Sequence, residues 1–450
     1  MNSKRDIWLR MVNNPVKTII ITGVLIRVLL IIIYRHITFY PDSEDYIQLA
    51  ERILDFNLSN YEGQRSPGYP ALLAISGISY TITIILQVGI GIVSLILIYK
   101  TCILAGISNR LSLIITLVLA CYIPAAFFEL ALLSETLTLF FVLLTVYLFL
   151  NIRTKKLKYY ILLSLSCGYL VLIKPFYIFL PAILFIILLF SNHRTKHLFR
   201  KTIIILVPAI FFLGWSYVNK INTGYFTSTT FYGFNLAQNC VGFAEKTTPE
   251  YAEIGRIYAK YRDNRTSDKE IAMTIWEAYP ELEKETGLSF PDLSKKLYDY
   301  SISTIQENPA AYLKQVLISW RDFWKTSLYR ENDRFAATYA NDVIRCVCYV
   351  ERIVLQLVKI LFVLLIPYNI TQSIRKKKFP PQTLISIVVI TASVLQALIT
   401  YGTNSRFSFP FEALMVISVV LNLMDRRNWS FATLNKKIEI ENIKQETTSA

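Results

Sequence analysis

The sequence predicts an all-α polytopic membrane protein, and its composition and its long apolar runs support this class. Hydrophobic residues make up 54% of the 450-residue chain and charged residues only 18%, with a mean hydropathy of +0.42. A soluble chain of this length would carry more charge and fewer continuous apolar runs. Several runs approach the roughly 20 apolar residues that one membrane crossing requires, so we expect many crossings.

About ten transmembrane helices are predicted from the positions of these runs. The first run is too long, and is followed by too many others, to be a cleaved signal peptide. The predicted helices are 18–36, 82–100, 111–128, 132–150, 159–173, 176–190, 202–219, 347–367, 382–401 and 408–424.

The distribution of basic residues predicts the orientation. The net charge is +15, but the lysines and arginines collect in clusters between alternate helices, which is the positive-inside pattern. We therefore expect both termini in the cytoplasm, contact with anionic membrane lipid, and no nucleic-acid partner. The clusters are Lys4/Arg5/Arg10/Lys17, Arg153/Lys155/Lys156/Lys158, Arg194/Lys196/Arg200/Lys201, Arg375 to Lys378, and Arg426/Arg427.

Four regions follow from this topology. Residues 1–219 form an N-terminal transmembrane module with a first outer loop at 37–81. Residues 220–345 form a large outer loop, which apolar residues at three-to-four spacing predict to be mainly helical. Residues 346–424 hold the C-terminal transmembrane helices, and 425–450 form a cytoplasmic tail.

A cluster of acids opens the first outer loop, in the stretch YPDSEDYIQLAERIL that starts at Tyr40. The pattern is typical of a helix start, with Asp42 as the cap and Asp45 supporting the helix dipole. An apolar stripe along the helix predicts that it is amphipathic and lies on the membrane surface. This structural role does not exclude a functional role for Asp42.

Three basic residues are expected on the outer face, where the positive-inside rule disfavours them: Arg65, Lys174 and Arg406. Each alone could reach lipid headgroups. Together, beside a carboxylate cluster, they indicate an anionic ligand such as a phosphate. Glu135 flanks a short outer turn, and Arg27, in the middle of the first helix, is expected to be paired or functional.

The sequence predicts no metal site and no cofactor. His193 and His197 have helical metal spacing, but their basic loop supplies no third ligand, so we interpret them as surface residues. A divalent metal stays an open alternative that no motif supports.

Several motifs follow one another in a fixed order along the chain. Asp42-x-x-x-Tyr46 follows the first helix, RSPGYP comes next, LLSETLTLFFVLL opens a later helix, LIKPF follows, and RFSFPFE opens the last helix. In this order they resemble the integral membrane glycosyltransferases of the C-type fold (GT-C), in the protein mannosyltransferase and aminoarabinose transferase group, glycosyltransferase family 39. STTFYGFNLAQN and ENPAAYLKQVLISWRDFW in the large outer loop are similar to stretches of bacterial members.

The resemblance implies a GT-C-like helix bundle and a polyprenyl-phosphate-linked sugar donor, used on the outer face of the bacterial plasma membrane. Asp42 matches the family's first-loop aspartate and would be the catalytic base. Arg65 and Arg406 match basic residues of the family and, with Lys174, would bind the donor phosphate.

The match departs from the family directly after this aspartate. Relatives often carry a second acid there, and Ser43 stands at that position, so the roles of the neighbouring acids stay open. The further substrate-binding candidates are Glu44, Asp45, Tyr46, Tyr69 and Glu135.

The chemistry of such a transfer suits these residues. A sugar on a lipid phosphate already has a good leaving group, so the reaction needs a base for the acceptor's proton and positive charge for the phosphate. Direct attack would invert the anomeric centre. Two alternatives stay open: a transporter or flippase of a lipid-linked sugar, and a non-catalytic subunit of envelope glycan assembly. The sequence identifies neither the sugar nor whether the acceptor is glycan, lipid or protein.

Overall fold

The computed structural model describes residues 11–152, 156–190, 198–326, 330–331, 334–402 and 404–425. The following lie outside these ranges: the predicted cytoplasmic tail from residue 426 onward, His193 and His197, and the basic residues Lys4, Arg5, Arg10, Arg153, Lys155, Arg194 and Lys196. The helices are α1 (Pro15–Tyr34), α2 (Pro41–Leu54), α3 (Gly68–Ile75), α4 (Tyr80–Leu104), α5 (Asn109–Ala120), α6 (Ile123–Glu129), α7 (Glu135–Asn151), α8 (Leu157–Ile173), α9 (Phe179–Phe190), α10 (Leu198–Thr223), α11 (Tyr232–Gln238), α12 (Ala252–Asp263), α13 (Asp268–Thr286), α14 (Phe290–Glu307), α15 (Pro309–Phe323), α16 (Thr338–Lys376), α17 (Pro381–Ile399) and α18 (Asn404–Asp425).

Within the described residues, six helices are long and apolar enough to cross a membrane: α1, α4, α10, α16, α17 and α18. A helix satisfies its own backbone hydrogen bonds, which is what allows a chain to cross the hydrocarbon region. The prediction of an all-α polytopic membrane protein is therefore confirmed.

The count of ten crossings is only partly supported. Helices α5 and α6 are bent by 61° and form either one broken span or a re-entrant pair. Helices α7 and α8 and the helical stretch Pro175–Phe190 are apolar but shorter than 18 residues. Each predicted span overlaps one of these elements, while their total of ten stays a prediction.

The large outer loop folds into helices α11 to α15 around a hydrophobic core of its own. Phe234 lies at its centre, stacked 4.8 Å from Trp276 and 4.8 Å from Phe290 between ring centroids. Helix α15 packs against α17, which joins this loop to the last two membrane helices.

Two backbone contacts position the first outer loop. Thr38 pairs with the turn before α7, donating to Leu130 O and accepting from Leu132 N, both at 3.0 Å. Gly68 begins α3 against the end of α8, where a β-carbon would lie 2.6 Å from the backbone nitrogen of Ile173. The loop is thereby held beside the start of α7 and the end of α8.

Helix α2 has a buried side and an exposed side. It buries Tyr46, Leu49 and Ala50 and exposes Glu44 and Glu51. Its placement along the membrane surface stays a prediction.

Candidate active site

The first turn of α2 is capped by Ser43 rather than by Asp42. Tyr40 is the N-cap residue, and its backbone N–H donates to Ser43 Oγ at 3.0 Å. Ser43 Oγ in turn donates to Leu132 O at 2.9 Å. The interpretation of Asp42 as the cap is therefore wrong: because Ser43 satisfies the free amide, the Asp42 carboxylate is left to bind other groups.

Asp42 binds two arginines that are far apart in the sequence. Its Oδ1 accepts from Arg65 Nη2 at 2.7 Å, and its Oδ2 accepts from Arg406 Nη1 at 2.8 Å. The Asp42 side chain is 25% exposed, against 12% for Arg406. The carboxylate is thus fixed at both oxygens and still open to solvent.

Glu135 holds the other side of Arg406. Its Oε1 accepts from Arg406 Nε at 2.9 Å and from Lys174 Nζ at 3.0 Å, and lies 2.7 Å from Arg406 Nη2. The Glu135 side chain is completely buried, and its Oε2 has no hydrogen-bond partner within the described part of the chain. A buried carboxylate is tolerated here because two cations face it.

Asp45 completes a chain of alternating charges. Its Oδ2 accepts from Arg65 Nε at 2.9 Å. The Arg65 guanidinium also lies over two rings, 4.5 Å from the centroid of Phe231 and 5.0 Å from that of Tyr46. The ion cluster, as we name this group, consists of the acids Asp42, Asp45 and Glu135 and the bases Arg65, Lys174 and Arg406.

The two aspartates of α2 differ in their affinity for a proton. Burial favours the protonated form of Asp42, but Arg65 and Arg406 outweigh burial and hold the pKa of Asp42 well below its usual range. Burial raises the pKa of Asp45, because one arginine does not offset burial together with the charges of Asp42 and Glu44. Asp42 is therefore a carboxylate throughout the neutral range.

Of the remaining substrate-binding candidates, one contacts the ion cluster, one is buried behind it and one lies outside it. Tyr46 lies under Arg65, its hydroxyl is 3.3 Å from Ser134 Oγ, and burial raises its pKa to about 12. Tyr69 is buried behind Tyr46 and donates to Gln87 Oε1 at 2.7 Å. Glu44 is exposed and accepts from Gln48 at 3.5 Å, so the fold does not bring it into the cluster.

The large outer loop contributes residues that sequence reasoning did not assign. We name residues 225–232 the strap. Thr229 and Thr230 donate their hydroxyls to backbone carbonyls of the Arg65 loop at 2.6 and 2.8 Å, and Phe231 places its ring against Arg65. These contacts join segments more than 160 residues apart, so no local spacing could have predicted them.

Arg27 finds its partner beside the bend between α5 and α6. Its Nη2 lies 2.7 Å from Glu129 Oε1, its Nε donates to Oε2 at 3.0 Å, and its Nη1 donates to Ala120 O at 3.0 Å. Gly91 leaves room for this pair, since a β-carbon there would lie 2.2 Å from Glu129 Oε1. The prediction that Arg27 is paired is confirmed.

A second buried ion pair, between Lys359 and Glu412, was not predicted from the sequence. Lys359, in the middle of α16, is completely buried and lies 2.8 Å from Glu412 Oε1. It also donates to Ser408 Oγ at 2.9 Å and to Lys325 O at 3.0 Å. The signal was available, because a lysine inside the apolar run LQLVKILFVLL is as unusual as Arg27 in the first helix.

The donor set of the ion cluster fits an anion better than a metal ion. Within the described residues, no group of three or more His, Cys, Asp or Glu side chains is arranged to hold a metal. Each carboxylate of the cluster faces an arginine or a lysine, and these cations would repel a metal ion. An incoming oxyanion could instead exchange for the carboxylates.

Comparison with protein-family models and with curated protein sequences gives no match. Among solved structures, the chain is similar to the archaeal oligosaccharyltransferase AglB from Archaeoglobus fulgidus in complex with an inhibitory peptide and a dolichol-phosphate, at 12% identity and a TM-score of 0.48, covering 95% of this chain and 52% of that one. It is similar to the oligosaccharyltransferase of the same organism tethered to an acceptor peptide (12% identity, TM-score 0.47, 91% and 50% covered) and in the apo form (12%, 0.47, 94% and 52%). This chain thus spans about half the length of these structures. At these TM-scores the likeness carries no argument about activity.

Proposed function

We propose that the protein is a membrane glycosyltransferase that moves a sugar from a polyprenyl-phosphate-linked donor to an acceptor hydroxyl or amine. The transfer takes place on the extracytoplasmic face, in a bacterial plasma membrane. The observation that carries the proposal is one partly exposed carboxylate, Asp42, held between Arg65 and Arg406 at 2.7 and 2.8 Å.

Arg65, Arg406 and Lys174 form the phosphate site in this proposal. In the absence of donor their charges are matched by Asp42, Asp45 and Glu135. A lipid phosphate offers the arginines a second oxyanion, and a guanidinium binds phosphate through paired hydrogen bonds as well as it binds a carboxylate. Donor binding therefore draws Arg65 and Arg406 partly away from Asp42.

This exchange gives Asp42 its strength as a base. Two arginines hold its pKa down, which makes it a weak proton acceptor before the donor binds. As the arginines turn to the phosphate, the pKa of Asp42 rises toward that of an ordinary buried carboxyl. Base strength and leaving-group stabilisation are then coupled through the same two side chains.

The reaction is a single displacement. The acceptor oxygen or nitrogen forms a bond to the anomeric carbon while its proton passes to Asp42. The bond from that carbon to the phosphate oxygen breaks, and its electron pair leaves with the polyprenyl phosphate, which Arg65, Arg406 and Lys174 stabilise. One such displacement inverts the anomeric centre.

The buried charges of the membrane helices do not favour the transporter alternative. Charged groups of a transport pathway typically face a water-filled cavity near the middle of the membrane. Arg27 is neutralised by Glu129, and Lys359 by Glu412, in each case inside the packed bundle. Both pairs are explained by the fold.

Turnover of radiolabelled polyprenyl-phosphate sugars by the purified protein in liposomes tests the proposal. Transfer of label to an acceptor supports the enzyme. Movement of label across the bilayer without transfer indicates a flippase, and neither result indicates a non-catalytic subunit; either of these two outcomes overturns the proposal.

A further inference from the structure

A shallow surface cavity of about 350 Å³, largely open to solvent, lies in the large outer loop, directly after the end of α10. This volume is at the lower end of the roughly 300–1,000 Å³ range of small-molecule sites. The cavity is lined by Tyr225, Phe226, Thr227, Tyr232, Lys295 and Tyr298.

One wall of the cavity is built on two closely packed helices, α11 and α14. Gly233, next to Tyr232, packs so closely on α14 that a β-carbon would overlap the carbonyl oxygen of Ser294. The Gly233 N–H donates to Ser294 Oγ at 3.1 Å, and Ser294 Oγ donates to the carbonyl of Thr230. Helices α11 and α14 are thereby held together, and the rings of Tyr232 and Tyr298 on these helices lie 5.5 Å apart between centroids. A site built in this way does not have to be ordered when a ligand binds.

The lining combines aromatic faces with a polar rim. Tyr225 donates its hydroxyl to Asp292 at 2.7 Å, and Lys295 is bound by Asp299 at 2.5 Å. Two carboxylates bonded to lining residues thus accompany one ammonium, which disfavours an anionic lipid headgroup. A neutral saccharide fits this chemistry, because its C–H faces pack on aromatic rings while its hydroxyls reach polar groups.

A role in membrane anchoring does not account for all the aromatic residues that line the cavity. Phe226, 54% exposed and three residues beyond α10, suits the aromatic belt of a membrane boundary. Tyr232 and Tyr298 lie instead on helices α11 and α14 of the large outer loop, with their ring centroids 5.5 Å apart. Their presence in one cavity needs another explanation.

The cavity is connected to the ion cluster by the strap. Tyr225 and Tyr232, at the ends of the strap, line the cavity. Between them, Thr229 and Thr230 bond to the Arg65 loop and Phe231 packs against Arg65. A ligand in the cavity is therefore one short segment away from the residues of the proposed transfer.

We propose that this cavity is a saccharide subsite that holds a neutral sugar unit of a glycan acceptor. The assignment to the acceptor rests on the proposed function, whereas saccharide binding itself does not. A sugar unit held on the strap would keep the reacting end of the acceptor beside Asp42.

Saturation-transfer NMR titrations of the detergent-purified full chain test the binding, with mannotriose, maltotriose and chitotriose as probes. We expect at least one probe to bind, and Tyr298→Ala to weaken it at least tenfold. Tyr339→Ala, at a tyrosine that is 75% exposed on α16, is the matched control and should leave binding unchanged. Asp42→Asn should also leave it unchanged, which separates this test from the proposed transfer.

Three results would overturn the subsite. They are no binding of any probe, binding that Tyr298→Ala does not weaken, and displacement of the probe by short-chain phosphatidylglycerol. Whether the subsite binds a sugar of the acceptor or the sugar of the donor is tested with a radiolabelled polyprenyl-phosphate hexose. If the bound probe displaces this donor, the acceptor assignment is wrong; if donor and probe bind together, it stands.

Discussion

Replacing Arg406 by lysine keeps the charge of the ion cluster and removes its geometry. The guanidinium reaches Asp42 through Nη1 at 2.8 Å and Glu135 through Nε at 2.9 Å and Nη2 at 2.7 Å. A lysine ammonium is a single point on a flexible stem and cannot bridge both carboxylates. In the donor complex it likewise cannot bind Glu135 and offer the phosphate paired hydrogen bonds, so at least one charge-assisted hydrogen bond to the phosphate is lost, at about 1.5–3 kcal/mol. Since 1.36 kcal/mol corresponds to a factor of ten, Arg406→Lys should lower kcat/KM for a polyprenyl-phosphate sugar roughly 10- to 150-fold.

The assay is transfer of radiolabel from the polyprenyl-phosphate sugar by purified protein, together with thermal stabilisation by polyprenyl phosphate alone. Stabilisation depends on the ratio of ligand concentration to Kd, so it reports phosphate binding without knowledge of the sugar. Arg345→Lys is the matched control, because Arg345 is 67% exposed and paired with Asp342 on the surface of α16. Unchanged transfer and unchanged stabilisation in Arg406→Lys would refute the phosphate role of Arg406.

Four other predictions concern this site and the helices around it. The value of kcat/KM reports the free enzyme, in which the pKa of Asp42 is lowered, so kcat/KM should stay constant as the pH falls toward 3.8. The value of kcat reports the donor complex, in which the arginines have turned to the phosphate, so kcat should begin to fall at a higher pH. If both profiles fell at the same pH, this movement of the arginines from Asp42 to the phosphate would be contradicted. The lowered pKa of Asp42 also makes the free energy of unfolding depend on pH. The ion pairs of Asp42 stabilise the folded protein above pH 3.8, and this contribution is lost as the pH falls below 3.8, which acid unfolding would measure. Gly68→Ala places a β-carbon 2.6 Å from backbone and should cost about 1–3 kcal/mol of stability, seen as a lower Tm, whereas Gly89→Ala, with nothing within 4 Å, should not. Arg27→Met leaves Glu129 buried and unpaired and should cost about 3–5 kcal/mol in denaturant unfolding; a wild-type midpoint would show that the pair contributes nothing.

The membrane class could be predicted from sequence because each span needs its own continuous apolar run. The bend between α5 and α6 was not predicted, although Pro124 inside the run 111–128 is a signal for a break in a helix. Likewise, sequence periodicity marks α2 as amphipathic but does not distinguish Asp42 from Ser43 as the capping group. That choice depends on Leu132, which only the fold brings close enough to bond Ser43.

The members of the ion cluster could be proposed one by one, because a charge at the outer end of an apolar helix is unusual. The ion pairs between them could not be predicted from the sequence. Arg406 reaches Asp42 across 364 residues and Glu135 across 271, and such contacts leave no local pattern. Glu44 illustrates the limit, since it has the same chemistry as Asp45 and lies on the exposed side of α2.

The most direct test of the account is Asp42→Asn, measured for sugar transfer and for polyprenyl-phosphate binding in the same folded preparation. The amide keeps the shape of Asp42 and removes the base. We expect transfer to fall by about 10²–10⁴, while polyprenyl phosphate binds at least as tightly, because Arg65 and Arg406 no longer share their charge with a carboxylate. Transfer at the wild-type rate would contradict the account.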